Sequence, residues 1–461
     1  MSKVLGDRPA VYRARDAHRR EAQRRGVVWA TLLLFLLLLV EGPLRKWFLP
    51  GLAGPLTLLR DPFALLLYAH CINKGFIWTR GMAQIWLLFA LVSAPFALQQ
   101  YALNGYGIPG WLLGLRTYWM YMPIAFVIAA THRRDDILRF LRVVLAIAIP
   151  YAFLVARQYG APPFAFVNWG VAGDIQGAVA LGDGIVRPFG LFTYTAPNVL
   201  YTAFTLAAFL AYYLTGPKGW KQQAFLVAAG FAVATMSVLT GSRTIYFQVA
   251  AITGFTLIGL LATRPTVRTV RRIAAVLVFI GLVALIFVKV FPDMLVAMGE
   301  RFESASRSEG GLWNRIYYNA FSFLDALDDA GLLGFGMGAG TPGVANYLRL
   351  PNLFLGESDT QRNVNELGLI LGPLFLLLRF TTAFWLGAMA VGLARRRDHS
   401  ALPIAGFAMT SFAFGAVTNS TIEALLVWTA VGLVIAARKS LDLERLHQQP
   451  TEPRQAMQHN L

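Results

Sequence analysis

From Val27 to Val40 the chain reads VVWATLLLFLLLLV, flanked by Arg24-Arg25 before it and Glu41-Gly42-Pro43-Leu44-Arg45-Lys46 after it. No charge interrupts the run and no small-residue cleavage site follows, so it reads as an uncleaved first membrane span. In hydrocarbon a segment must satisfy its own backbone amides and carbonyls, which makes such a run helical. Comparable runs recur at 56–73, 83–99, 111–130, 140–157, 196–215, 224–240, 244–262, 273–291, 364–394, 401–417 and 423–437. The expected fold class is all-α: a polytopic integral membrane bundle of about twelve transmembrane helices. The 364–394 stretch contains Gly372-Pro373 and reads as one kinked helix.

Composition agrees. The 461 residues are 56% hydrophobic and 14% charged, with a mean hydropathy of +0.54, whereas an ordinary soluble domain carries about 25% charged residues. A net charge of +17 invites a nucleic-acid partner, but the placement of the basic residues argues otherwise. With the N-terminus inside, segments 1–26, 74–82, 131–142, 216–223, 263–272, 394–400 and the tail from Arg438 hold 27 of the 41 Lys and Arg residues. That is a topology signal, and it leaves both termini cytoplasmic. The chain divides into a basic tail (1–26), spans one to nine with an outer loop at 158–195 (27–291), a large outer loop (292–363), C-terminal spans (364–437) and a second tail (438–461). Cys71 is the single cysteine, so neither an intrachain disulfide nor a cysteine metal site is possible. Of the six histidines, His70 is mid-span, and His18, His132, His399, His447 and His459 fall in or beside inner segments.

Loops as long as 158–195 and 292–363 are uncommon in compact proteins unless they function. In the second, Trp313, Ile316, Tyr317, Ala320, Phe321, Leu324 and Leu327 recur at three- and four-residue steps, the mark of an amphipathic helix over Leu312–Asp329. Gly334-Phe335-Gly336-Met337-Gly338-Ala339-Gly340 follows. No strand precedes this stretch and no Walker lysine follows it, so it reads as a turn allowing close backbone approach and not as a nucleotide loop.

Charges at the membrane boundary are costly, and by default they mark function. Arg187 (in Val186-Arg187-Pro188), Arg243 (in Gly241-Ser242-Arg243) and Arg315 (in Trp313-Asn314-Arg315) all fall on the outer side. A guanidinium keeps its charge when partly desolvated, and its planar fork matches phosphate oxygens. Each also has a plain structural reading, as a snorkelling or interface-anchoring side chain. The polar stretch from Glu357 to Gly368 runs directly into an apolar span. Glu357, Asp359 and Arg362 there are candidates for proton transfer and its support. Glu366 reads as an acid meeting the positive end of a helix.

The order of these features carries a resemblance. A short outer turn ending Gly241-Ser242-Arg243 is followed by a large loop with an arginine-bearing helix. Next come alternating glycines, then a polar segment running into Glu366-Leu367-Gly368-Leu369-Ile370-Leu371-Gly372. This resembles the O-antigen ligase and Wzy-type polysaccharide polymerase superfamily over roughly residues 185–437. Glu41-Gly42-Pro43-Leu44-Arg45-Lys46-Trp47 with Arg60-Asp61-Pro62 resembles bacterial exopolysaccharide polymerases in particular.

The resemblance implies a fold like that of the C-type membrane glycosyltransferases, a large helical periplasmic loop and location in the bacterial inner membrane. It also implies inverting glycosyl transfer without metal or cofactor, from a glycan on undecaprenyl diphosphate to an acceptor glycan. The family's diphosphate-holding arginines would be Arg243 and Arg315, with Arg187 a third candidate. Ligases carry a histidine that activates the acceptor hydroxyl; the matching position here is Glu357, with Asp359 next if the spacing slips, and Arg362 in support. A carboxylate can take the same proton, so the chemistry survives; the ligase histidine is missing and no other outer histidine can substitute for it, so polymerase is preferred to ligase. Implied partners are the lipid-linked donor and acceptor, membrane lipid and chain-length or export proteins, with no nucleic acid. A flippase for lipid-linked oligosaccharide and a purely structural membrane subunit are the readings from other classes. A polar site at one face favours the enzyme and a site at the bilayer midplane the transporter.

Overall fold

A computed structural model describes residues 10–177, 180–182, 185–263, 321–351, 355–356, 358–415 and 417–448, with isolated positions between 264 and 320. Arg315, Glu357 and, apart from isolated positions, the expected span 273–291 lie outside the described residues; of the helix expected over Leu312–Asp329, the described end is interrupted by a turn at 322–324. The chain runs α1 (Ala10–Pro43), α2 (Ala53–Leu56), α3 (Asp61–Lys74), α4 (Met82–Leu103), α5 (Gly107–Trp119), α6 (Pro123–Thr131) and α7 (Arg134–Tyr159). A small antiparallel hairpin, β1 (Ala180–Gly182) with β2 (Ile185–Val186), precedes α8 (Thr195–Thr215), α9 (Trp220–Leu239) and α10 (Arg243–Leu261). Then come α11 (Asp325–Asp329), α12 (Pro342–Leu348), α13 (Asp359–Arg395), α14 (Ala401–Phe414) and α15 (Thr421–Gln448).

Among the described residues nine helical segments are long and apolar enough to cross a membrane, which makes a multi-pass membrane bundle. Two of the expected spans are shorter than drawn. The 56–73 run is interrupted at Arg60, and Pro62 opens the next helix, so only α3 remains. α14 stops at Phe414 because Gly415 leaves the helical region. The centre of the bundle is α8 and α15, buried along most of their lengths, with α6, α7, α13 and α14 around them.

The basic segments meet at one end. Arg24 pairs with Asp136 (2.5 Å), Arg396 with Asp442 (3.0 Å), and Lys439 donates to the Ala130 carbonyl (2.8 Å). The Arg134 amide donates to Ser440 (3.1 Å). The charge asymmetry read along the chain is therefore gathered in space.

α13 does not kink at Gly372-Pro373 as expected; it reverses at Gly368, whose φ of 71° and ψ of −177° are open to glycine. A short arm, Asp359–Leu367, returns alongside the long arm Leu369–Arg395. Gly372 is where the arms touch: a Cβ there would lie 2.8 Å from the Val364 Cα. The alternating glycines make the close approach their pattern predicts. Phe335 and Gly336 donate their amides to the carbonyls of Asn365 (2.9 Å) and Glu366 (3.1 Å), and Gln100 secures the crossing by donating to Glu366 O (2.8 Å).

Candidate functional site

The reversal at Gly368 folds Asp359 back against Arg379, a residue inside an otherwise apolar run. Ser358 caps the short arm by accepting the Gln361 amide (3.0 Å), the usual satisfaction of an orphan helix donor. Asp359 accepts from Arg379 Nη1 (2.7 Å) and from Arg362 Nη2. Arg379 also donates to Asn363, to Phe412 O (2.9 Å) and to Gly415 O (2.7 Å), filling the gap that the early end of α14 leaves. Arg362 donates to Asn419 (3.1 Å) and Thr418 (3.1 Å), and its Nε stands 3.4 Å from Glu366, within ion-pair reach but beyond a good hydrogen bond. Glu366 accepts from Tyr118 and from the Gly340 amide (2.9 Å). It is fully buried, so it is more than an acid at a helix dipole: it joins the glycine stretch to α5.

A second charged group adjoins the first. Glu41, at the end of the first span, bridges Arg60 (2.6 Å) and Arg45 (3.1 Å). Arg60 donates on to Thr421 at the start of α15 (3.1 Å). Asp61 holds Arg116 (2.5 Å) and accepts from Tyr121 (2.7 Å). Lys46 is buried with its ammonium donating to the carbonyls of Gly190 (2.8 Å) and Phe192 (2.7 Å), which ties the 158–195 loop to the end of α1. The first turn of α15 joins the two groups: Ser420 donates to Glu423 (3.0 Å) and caps the helix, Asn419 bonds Arg362, and Thr421 bonds Arg60. Tyr194 sits beside this junction, its hydroxyl pushed up from its ordinary pKa by burial and then by the Glu423 carboxylate. Arg60 is 1% exposed, and its Nη1 has no hydrogen-bond acceptor among the described residues. Such a buried orphan donor is expensive, on the order of 1–3 kcal/mol.

Depth follows from helix rise. Arg379 and Glu423 each stand about 24 Å along their helices from Arg395 and Lys439 at the basic end, and Glu41 is about 26 Å from Arg24. Against a hydrocarbon core of about 30 Å this places the charged layer toward the opposite boundary and away from the middle.

Of the residues singled out from the sequence, the structure brings Asp359 and Arg362 together in this network. Arg187, after β2, and Arg243, opening α10, stand half-buried at the end opposite the basic one. Arg315 and Glu357 lie outside the described residues, although Gly356 and the capping Ser358 on either side of Glu357 are placed. Arg60, Glu41, Lys46, Arg379 and Glu423, none of them singled out from the sequence as a site residue, are all buried. Arg379 had a legible signal, a lone cation between Leu378 and Phe380. Glu423 had one too, in the capping pattern Ser420-Thr421-Ile422-Glu423. No family model matches the chain, and no curated protein matches it.

Proposed function

We propose that this protein is an inverting membrane glycosyltransferase that polymerises glycan repeat units carried on undecaprenyl diphosphate, acting at the bundle end remote from the basic segments. In a bacterial inner membrane that end faces the periplasm. The observation that carries the reading is the junction at the start of α15. There Glu41, Arg45, Arg60 and Asp61 adjoin Asp359, Arg362 and Glu366, although these residues come from opposite ends of the chain. They belong to the same stretches that carry the resemblance.

In this reading Arg243 and Arg315, with Arg187, hold the diphosphate and stabilise the charge that grows as it leaves. Glu357 removes the proton from the acceptor hydroxyl, which then attacks the anomeric carbon on the face opposite the departing diphosphate. Asp359 accepts from two fixed guanidinium groups, so its lone pairs are committed, and its part is to hold Arg362 and Arg379. The buried network thus forms a rigid floor that holds the capping Ser358 in place. A helical reversal within the membrane is also a transporter feature. The depth of the charged layer, about 24 Å from the basic boundary, favours the enzyme over a site at the midplane.

The test is turnover of a purified lipid-linked repeat unit by the purified protein. A ladder of products supports polymerisation, a single transfer to a different acceptor supports ligation, and movement across a vesicle without new bonds supports a flippase. Glu357→Gln should abolish the ladder while expression and donor binding persist; near-normal chain lengths would remove Glu357 from the chemistry.

A further inference from the structure

A groove of about 300 Å³ runs between the ends of α13 and α15 at the basic end of the bundle. Its wall is one stripe of α13, with Trp385, Met389, Gly392 and Leu393 leading to Arg396, and Arg438 of α15 faces them. From Trp385 to Arg396 the stripe is about 16 Å long. Phe384 next to it is 77% exposed, so this length of α13 borders the bilayer. Apolar side chains therefore line the deep part of the groove, and two cations stand at its mouth, level with the membrane boundary.

Two details point to an occupant. Arg396 pairs with Asp442 (3.0 Å), but Arg438 is exposed and makes no hydrogen bond or ion pair among the described residues, so the mouth keeps a net positive charge. Gly392 lies inside a helix, where glycine is unfavourable by about 0.5–1 kcal/mol relative to alanine. Among the described residues no neighbour requires it: a Cβ built there meets no atom within 4 Å. A helical glycine without an internal neighbour, set midway along a groove, leaves room for something that approaches the backbone from outside.

We propose that this groove binds an anionic phospholipid, its phosphate between Arg396 and Arg438 and one acyl chain along the α13 stripe past Gly392. A guanidinium pair suits phosphate oxygens, and basic pockets between helices at such a boundary recognise anionic head groups. The site is separate from the charged layer near Glu423 and does not depend on the glycosyl-transfer reading.

The experiment measures retention of phosphatidylglycerol by the detergent-purified full chain, against phosphatidylcholine of the same acyl length and against inorganic phosphate. Two variants go with it: Gly392→Trp, which fills the groove, and Arg396→Gln/Arg438→Gln, which removes the cations. The expected result is preference for phosphatidylglycerol over phosphatidylcholine in the native chain. That preference should fall about tenfold or more in the double arginine variant. Binding of both lipids at this site should be lost in Gly392→Trp, with elution volume and helicity unchanged. Equal retention of the two lipids by the native chain would overturn the proposal, as would unchanged preference in both variants. Competition by inorganic phosphate alone, with no dependence on the acyl chain or on Gly392, would make this a phosphate site and overturn the lipid assignment.

Discussion

Gly334 and Gly368 meet backbone to backbone. A Cβ built on Gly334 would lie 2.3 Å from the Gly368 amide nitrogen, and one built on Gly368 would lie 2.4 Å from the Gly334 amide nitrogen. Both also have positive φ, 75° and 71°. The crossing closes the reversal of α13 and, through Gly340 and Glu366, connects it to the charged layer. Gly368→Ala should therefore lower the thermal midpoint in detergent severely, by the equivalent of several kcal/mol, since strain and collision add. Gly254→Ala, in a helix with open space around it, should be neutral or stabilising by up to about 1 kcal/mol. Equal midpoints for the two variants would contradict the reversal.

Asp359 is shared by two buried guanidinium groups, and removing its charge leaves both without their common partner. Asp359→Asn should destabilise the fold by about 3–5 kcal/mol, the range for breaking a buried ion pair from one side. Because Asp359 and Arg379 act on each other directly, Asp359→Asn with Arg379→Met should cost less than the sum of the two single changes. A coupling of about 1–3 kcal/mol is expected, readable as a non-additive shift in unfolding midpoint. Additive effects would mean that the contact carries no energy.

His132 lies between α6 and α7 at the basic end, its ring nitrogens facing the hydroxyls of Thr31 (3.3 Å) and Thr131 (3.1 Å). Burial pushes its pKa down from 6.5 to about 4, with Asp136 opposing that shift and Arg24 adding to it. The folded state binds the proton less well than the unfolded chain, so stability rises with pH. The stabilisation is fully present above pH 6.5 and is lost progressively as pH falls from 6.5 toward 4, about 3 kcal/mol in all. The thermal midpoint of the native chain should drop across that window, and that of His132→Gln should drop less. Parallel profiles would show that another group titrates.

Sidedness is tested with single cysteines in a Cys71→Ser background. An impermeant thiol reagent applied from outside the cell should label a cysteine placed in 292–363. It should fail at 394–400, where Arg396 and Asp442 pair at the basic end. The reverse pattern would invert the orientation and move the proposed chemistry to the cytoplasm.

Much of this protein was determined by its sequence alone. Apolar runs such as Val27–Val40 state which segments enter hydrocarbon, because a helix is the solution open to a backbone there. The Lys and Arg counts state which connections share a side, because charge placement at the boundary is a local preference. The glycine alternation at 334–340 announces close backbone approach, since a missing side chain is visible without a partner. The neighbour that uses that space is not visible. Lipid is as apolar as the helix faces it bathes, so the hydrophobic pattern separates membrane from water but does not rank one helix neighbour over another. Arg60 donating to Thr421, and Glu366 accepting from Tyr118 and Gly340, are pairings between distant parts of the chain. The reversal of α13 at Gly368 instead of Gly372 was likewise decided by a contact, the Gly334 backbone pressing where a side chain on Gly368 would have stood. Only the tertiary structure decided that scattered charges form one buried layer, because a buried charge is tolerated only where its partners stand, and those partners come from remote helices.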